Sequence, residues 1–164
     1  MIDSYMQLTS VNLDQLSALV HDVKLPPTQR FAVPEFKVLS YKGQYQSRAD
    51  AIYILATAKA AHEAWYSHGL VIDFGELHYR GGDEMAWVLQ VGQQPPLDCP
   101  FPLAFVVGPG CEAGLRSLLE LGLQRPVTFK EYCTDSLESA VKLVAAKRTA
   151  FQHCRDQWLK TPKN

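Results

Sequence analysis

Two apolar runs that each open into glycine restrict the fold more than any other feature of the chain. Leu70-Val71-Ile72-Asp73-Phe74 leads through "GELHYR" into Gly81-Gly82, and Phe101-Pro102-Leu103-Ala104-Phe105-Val106-Val107 leads into Gly108-Pro109-Gly110. A near-continuous apolar strand needs cover on both faces, which a parallel sheet flanked by helices supplies. In such sheets ligands meet the carboxyl ends of the strands. Both glycine loops follow a strand, so the expectation is that they share one rim.

The segments around these runs read as further strands and helices. Phe36 to Tyr41 is strand-like and stops at Gly43. Ser47-Arg48-Ala49-Asp50 has capping-box spacing and opens an Ala-rich helix to about Ser67. Residues 83 to 91 read as a short helix with Met85, Leu89 and either Trp87 or Val88 inward. Glu112 to Leu121 reads as a helix, and Val127 to Tyr132 alternates like an edge or half-exposed strand. Asp135-Ser136-Leu137-Glu138 is a second capping box, placing Leu137, Val141, Val144, Ala145 and Phe151 on one helical side. Near the start, Leu13, Leu16, Leu19 and Val20 have helical spacing over residues 10 to 22, with Ser10 as cap, until Pro26-Pro27 intervenes. Strand and helix therefore alternate, the pattern of an α/β layer with crossovers. The expected organisation is an arm with one helix over residues 1–30, one α/β domain over 31–154, and a flexible tail over 155–164.

Composition removes several functional classes. Apolar residues are 47%, enough for a core, and 16 Lys and Arg face 17 Asp and Glu. That balance lacks the basic excess of a nucleic-acid binder. No apolar run approaches the ~18 residues of a membrane span, and Met1-Ile2-Asp3-Ser4 does not open a secretory signal. Cys99, Cys111, Cys133 and Cys154 form no Cys-x-x-Cys motif, and the five histidines form no His-x-x-x-His pair. Reduced thiols in a cytoplasm are the simplest expectation, with no metal and no cofactor assigned.

From Phe36 to Leu143 the order of segments resembles the STAS domains, the class that includes bacterial anti-sigma-factor antagonists. "LVIDFGELHYRGGDEMAWVL" resembles that family's central strand, loop and helix; "FPLAFVVGPGCEAGLRSLLELGL" resembles its next strand and helix; "FKEYCTDSLESAVKLV" resembles its last strand and helix. The resemblance implies a mostly parallel α/β sheet and a regulatory or scaffolding role, binding a partner protein through the rim at 78–89. In that family the loop after the central strand commonly carries a phosphorylatable Ser or Thr next to an Asp. Gly81 and Gly82 stand there, followed by Asp83, and glycine has no hydroxyl to modify. The partner-binding residues expected on this basis are His78, Tyr79, Arg80, Gly81, Gly82, Asp83 and Trp87. A homodimer and a small-molecule ligand are both compatible with it.

"YRGGDEM" and "PLAFVVGPGCEAGL" also resemble two crotonase motifs, in which backbone N–H groups hold a thioester enolate oxygen. That resemblance implies an acyl-CoA site framed by Gly82 and Ala113 or Gly114, with Gly108, Gly110 and Gly114 as a ligand loop. The chain is short for that family, and Glu112 stands where small residues are usual. Gly108 to Ala113 formally matches a dinucleotide fingerprint as well, but a tight turn before a helix that favours its own acid accounts for it. No catalytic residue is assigned. Asp73 is expected to cap the following loop rather than act on a substrate. Arg80 is balanced between gripping an anion and pairing with Glu76, Asp83 or Glu84. Cys111 stands at a helix start, where a thiol's pKa tends to fall.

Overall fold

The computed structural model describes residues 17–24, 36–65, 67–92 and 99–160. Strands Val20–Lys24 (β1), Lys37–Gln44 (β2), Leu70–His78 (β3), Leu103–Val107 (β4) and Cys133–Thr134 (β5) form one sheet in sequential order. β1 is antiparallel to β2, and β2 through β5 run parallel. The chain is thus α/β with a mostly parallel sheet and crossover helices.

The N-terminal helix expected over 10–22 overlaps β1 at residues 20–22. Residues 1–16 lie outside the described set, but Val20–Lys24 is a strand. Its pairing runs from Val20 opposite Lys42 to Lys24 opposite Val38. Residues 20–24 therefore belong to the domain's sheet, not to a separate arm. Backbone pairing along the edge of β2 overrides the helical spacing at Val20.

The helix Arg48–Trp65 (α1) starts as its capping box requires. The Asp50 carboxylate accepts from the Gln46 and Ser47 N–H groups at 2.7 and 3.0 Å, and Ser47 Oγ accepts from the Ala49 N–H at 3.2 Å. The Ser17 hydroxyl donates to the other Asp50 oxygen at 2.5 Å, so the lead into β1 is tied to the helix start. Asp50 is buried, and these donors are what make a buried carboxylate tolerable.

The two sheet faces are covered differently. One carries Leu39, Tyr41, Ile72, Phe74, Phe105 and Val107 beneath α1, beneath the 3₁₀ helix Asp83–Gln90 and beneath the helix Glu112–Ser117 (α2), which runs on into a π turn over Leu118–Gly122. Of the 3₁₀ helix, Met85 and Val88 are buried, which answers the choice between Trp87 and Val88. The other face carries Val38, Val71, Ala104 and Val106, which pack on Ala140 and Val144 of one long helix, Leu137–Lys160 (α4). Strand order explains this division. Helices between sequential parallel strands share a face, whereas a helix after the last strand is free to return across the opposite one.

Three sequence expectations are corrected here. Val127–Tyr132 is not a strand: Phe129–Tyr132 is a single helical turn (α3), and only Cys133–Thr134 pairs with β4. The Glu120 carboxylate accepts from the Phe129 N–H at 3.2 Å, and the Arg116 guanidinium lies 4.1 Å from the Phe129 ring centre. Those contacts decide for a turn where alternation alone suggests a strand. The second capping box sits one residue later, with Ser136 Oγ accepting from the Ser139 N–H at 3.3 Å, while Glu138 pairs with Lys142. Finally, α4 continues through Lys160, so residues 155–160 are helical, and residues 161–164 lie outside the described set.

Its outer half is anchored by a disulfide between Cys154 and Cys99, 55 residues apart in sequence. This overturns the expectation of four reduced thiols. Cys111 and Cys133 remain free and buried. Sequence spacing could not separate the pairings open to four cysteines.

Lys147 lies on the inner half of α4. Its Nζ donates to the Leu103 carbonyl at 3.0 Å and stands 3.5 Å from the Tyr132 ring centre. Burial brings its pKa down to about 8. Between about pH 8 and the ordinary lysine value of 10.5, the unfolded chain therefore holds a proton that the folded chain has released. Stability from this residue rises with pH across that window. Urea midpoints of the native chain and of Lys147→Met, compared at pH 7.5 and 9.5, should move apart in favour of the native chain at the higher pH. A constant gap would show that Lys147 titrates as it does in water.

Candidate functional site

The carboxyl ends of β2, β3 and β4 meet at one edge, and the two glycine loops lie there side by side, as expected. The Tyr79 N–H donates to the Gly110 carbonyl at 2.9 Å, and the Tyr45 N–H to the His78 carbonyl at 2.9 Å. Inside the loop the Tyr79 hydroxyl donates to the Gly82 carbonyl at 2.7 Å, and the Met85 N–H donates to the same oxygen at 3.3 Å. Gly82 has φ 129°, outside the range open to other residues. Gly81-Gly82 is therefore an arch, pinned from below by Tyr79, that turns the chain from β3 into the 3₁₀ helix.

The glycines fall into two groups. Gly108, Gly110 and Gly114 are small because protein packs on them. A methyl group at Gly108 would collide with the Gly75 carbonyl; at Gly110 it would lie 2.6 Å from the His78 ring; at Gly114 it would lie 2.6 Å from the Tyr79 carbonyl and 2.8 Å from its ring. Gly81 is the reverse case, with nothing within 4 Å of the added atom. The expected ligand loop at 108–114 is thus filled by β3 and Tyr79, and the open backbone is at the arch.

The expected rim residues separate in the same way. His78, Arg80, Gly81, Gly82 and Asp83 are exposed. Tyr79 is buried; it is the post of the arch, not part of its outer surface. Burial raises its phenol above the ordinary value, which keeps it a neutral donor. Trp87 is half-buried, packed against the core with the Arg48 guanidinium 5.0 Å from its ring centre. Among the described residues Arg80 makes no ion pair, although Glu76, Asp83 and Glu84 are its sequence neighbours. Asp73 accepts from the Gly75 N–H at 2.9 Å, but β3 continues to His78, so this bond lies within the strand and not at the cap expected for the following loop. Cys111 does not behave as its place at a helix start suggests. It is fully buried, and burial pushes its thiol up to about 12.

Tyr45 is the residue that sequence reasoning missed. Its ring stands edge-on to Tyr79, with centres 5.0 Å apart at 90°, directly beneath Gly82. Its hydroxyl is buried and finds no hydrogen-bond partner among the described residues. Burial pushes its pKa up to about 12. Nothing in "YKGQYQS" distinguishes it from a core aromatic.

Strand order runs sequentially, and beside the carboxyl ends of β4 and β5 an open cavity of about 410 Å³ is lined by Val107, Arg116, Phe129 and Asp135. Among the described residues, no group of three or more His, Cys, Asp or Glu is placed to hold a metal ion. The same residues include no helix long and apolar enough to cross a membrane. What the edge offers is a firm, nearly side-chain-free arch flanked by an exposed guanidinium.

Two stability measurements test this account of the glycines and tyrosines. Gly108→Ala should destabilise by about 1–3 kcal/mol or more, because the added methyl meets backbone and not a flexible side chain. Tyr45→Phe should leave the urea midpoint unchanged or raise stability by about 1 kcal/mol, since it removes a buried hydroxyl without a partner. A clear loss on Tyr45→Phe would mean that the hydroxyl is hydrogen-bonded in solution. Compared with protein-family models, curated proteins and solved structures, the chain matches none.

Proposed function

We propose that the chain is a non-enzymatic, STAS-like regulatory or scaffolding module that docks a partner protein on the rim around residues 78–89. The observation that carries this reading is Arg80 beside the open arch. Its guanidinium is exposed and engages no carboxylate among the described residues, which also leave the neighbouring Gly81 backbone open. A free guanidinium next to bare backbone suits a carboxylate-bearing loop or strand of another protein. The absence of a hydroxyl at residues 81 and 82 means that phosphorylation at those positions does not control the contact.

The crotonase-like alternative draws less from the geometry. Its oxyanion hole needs space above Gly114, and Tyr79 occupies it. The proposal also carries a cytoplasmic setting, in which the Cys99–Cys154 bond would form only under oxidising conditions. Alkylation of thiols in intact host cells before lysis reads that state directly.

A photo-crosslinking residue in place of the exposed Gln90, beside the rim and with Arg80 kept, tests the surface in the full chain expressed in its own host. One discrete heterologous adduct is expected, and it should weaken roughly tenfold in competition with native chain but not with Arg80→Ala. An adduct spectrum indistinguishable from that of a crosslinker on the exposed face of α4 would overturn the proposal. Saturable binding of an acyl-CoA, lost in Gly82→Val while the fold survives, would replace it with the enzyme reading.

A further inference from the structure

The opposite edge of the sheet holds a separate cavity of about 330 Å³, half open, between the end of α1 and the outer half of α4. Its α4 wall is Arg148, Phe151, Gln152 and Arg155. These residues are spaced three, four and seven apart, so they form one helical face. On the inner half of α4 that face packs on the sheet through Ala140 and Val144. Beyond the sheet's edge it turns polar while still facing protein. The two arginines lie about 10 Å apart along the helix axis, within reach of a single group held at the level of Gln152.

The facing wall is aromatic and carries one carboxylate, Glu63. Phe101 is buried, with His62 edge-on at 4.7 Å and Phe151 edge-on at 6.3 Å. His62 Nδ1 and the Ser67 hydroxyl are hydrogen-bonded at 3.1 Å. Burial lowers the His62 pKa, which favours the uncharged imidazole. The charged groups of the lining are two guanidiniums and one carboxylate, Glu63, with His68 also at the wall. Arg155 has a long 3.9 Å contact with Asp156 and remains about half exposed. Cationic forks over an aromatic floor, in a volume near the lower end for small ligands, describe a site for an anion carrying a flat apolar part.

We infer that this cavity binds a small aromatic phosphate or carboxylate, with Arg148 and Arg155 on the anion and Phe101 and Phe151 against the ring, and that the Cys99–Cys154 disulfide holds its two walls together. The disulfide places Cys154 one residue from Arg155 on one wall and Cys99 two residues from Phe101 on the other. The site stands apart from the rim and does not depend on the docking proposal.

Isothermal titration calorimetry on the oxidised full chain decides, with phenyl phosphate and benzoate as probes and inorganic phosphate and benzyl alcohol as single-feature controls. At least one aromatic anion should bind saturably, and more tightly than either control; which of the two wins names the anion. Arg155→Gln should weaken that binding roughly tenfold, as for loss of one charge-assisted contact. Phe151→Ala should weaken the aromatic probe towards the level of inorganic phosphate. Should Phe151→Ala fail to fold, Arg155→Gln still decides, because residue 155 is exposed. The Cys99→Ser/Cys154→Ser double variant should lose affinity by a comparable factor. No saturable binding of either aromatic anion, or unchanged affinity in a folded Arg155→Gln, would overturn the site. Unchanged affinity in the double serine variant would overturn the bracing role of the disulfide.

Discussion

β3 is the strand from which the other layers take their places. Leu70, Val71, Ile72 and Phe74 are wholly buried, and they point alternately into the two cores. Each such side chain contributes roughly 1.5–3 kcal/mol on burial, and only if both faces are covered. One face is covered by α1, the 3₁₀ helix and α2; the other by α4, with Phe36 packed against the same cluster. β2 and β4 satisfy the backbone of β3 on either side in parallel register. Because β3 cannot shift without exposing one of the cores, its carboxyl end is a fixed base for the arch at Gly81-Gly82.

What the sequence revealed follows from how local each signal is. The double-sided burial of Leu70–Phe74 and Phe101–Val107 is written in the residues themselves, and the Ser47–Asp50 cap is a contact between near neighbours. Those elements were legible. β1 was not, because its pairing with β2 is a long-range choice that the apolar spacing of Leu13 to Val20 does not report. Phe129–Tyr132 was misread for a related reason. Four residues alternate equally well in a turn or a strand, and the Glu120 carboxylate that decides between them lies nine residues away. The disulfide was invisible because four cysteines without a metal or redox motif carry no pairing information.

The candidate site shows the same limit more sharply. A glycine after a buried strand signals that something approaches the backbone closely, but not what. At Gly108, Gly110 and Gly114 the approaching atoms belong to Gly75, His78 and Tyr79 of the same chain, so the signal is spent within the fold. At Gly81 no atom of the described residues beyond its chain neighbours comes within 4 Å of an added methyl, and the need for glycine comes from its φ of 157°. Motifs that resemble two unrelated families could not separate these cases, because both families use small residues there. Only the packing distinguishes a glycine that lets strands touch from one that leaves a surface bare.

The two edges of the sheet are held by different kinds of force. The rim is built from short hydrogen bonds and from tyrosines in the main core, so its stability is that of the whole domain. The outer half of α4 has little of this. Beyond Arg148 its side chains are mostly exposed, with Phe151, Cys154 and Trp158 half-buried. The contact of Phe151 with Phe101 and the bond from Cys154 to Cys99 tie it to the segment before β4. In the chain-entropy account, a link closing a loop of 55 residues stabilises by about 4 kcal/mol. That is large beside one aromatic contact of about 1 kcal/mol. Opening the bond would therefore loosen the outer helix first and leave β3 and its arch in place, since local unfolding begins where buried contacts are fewest.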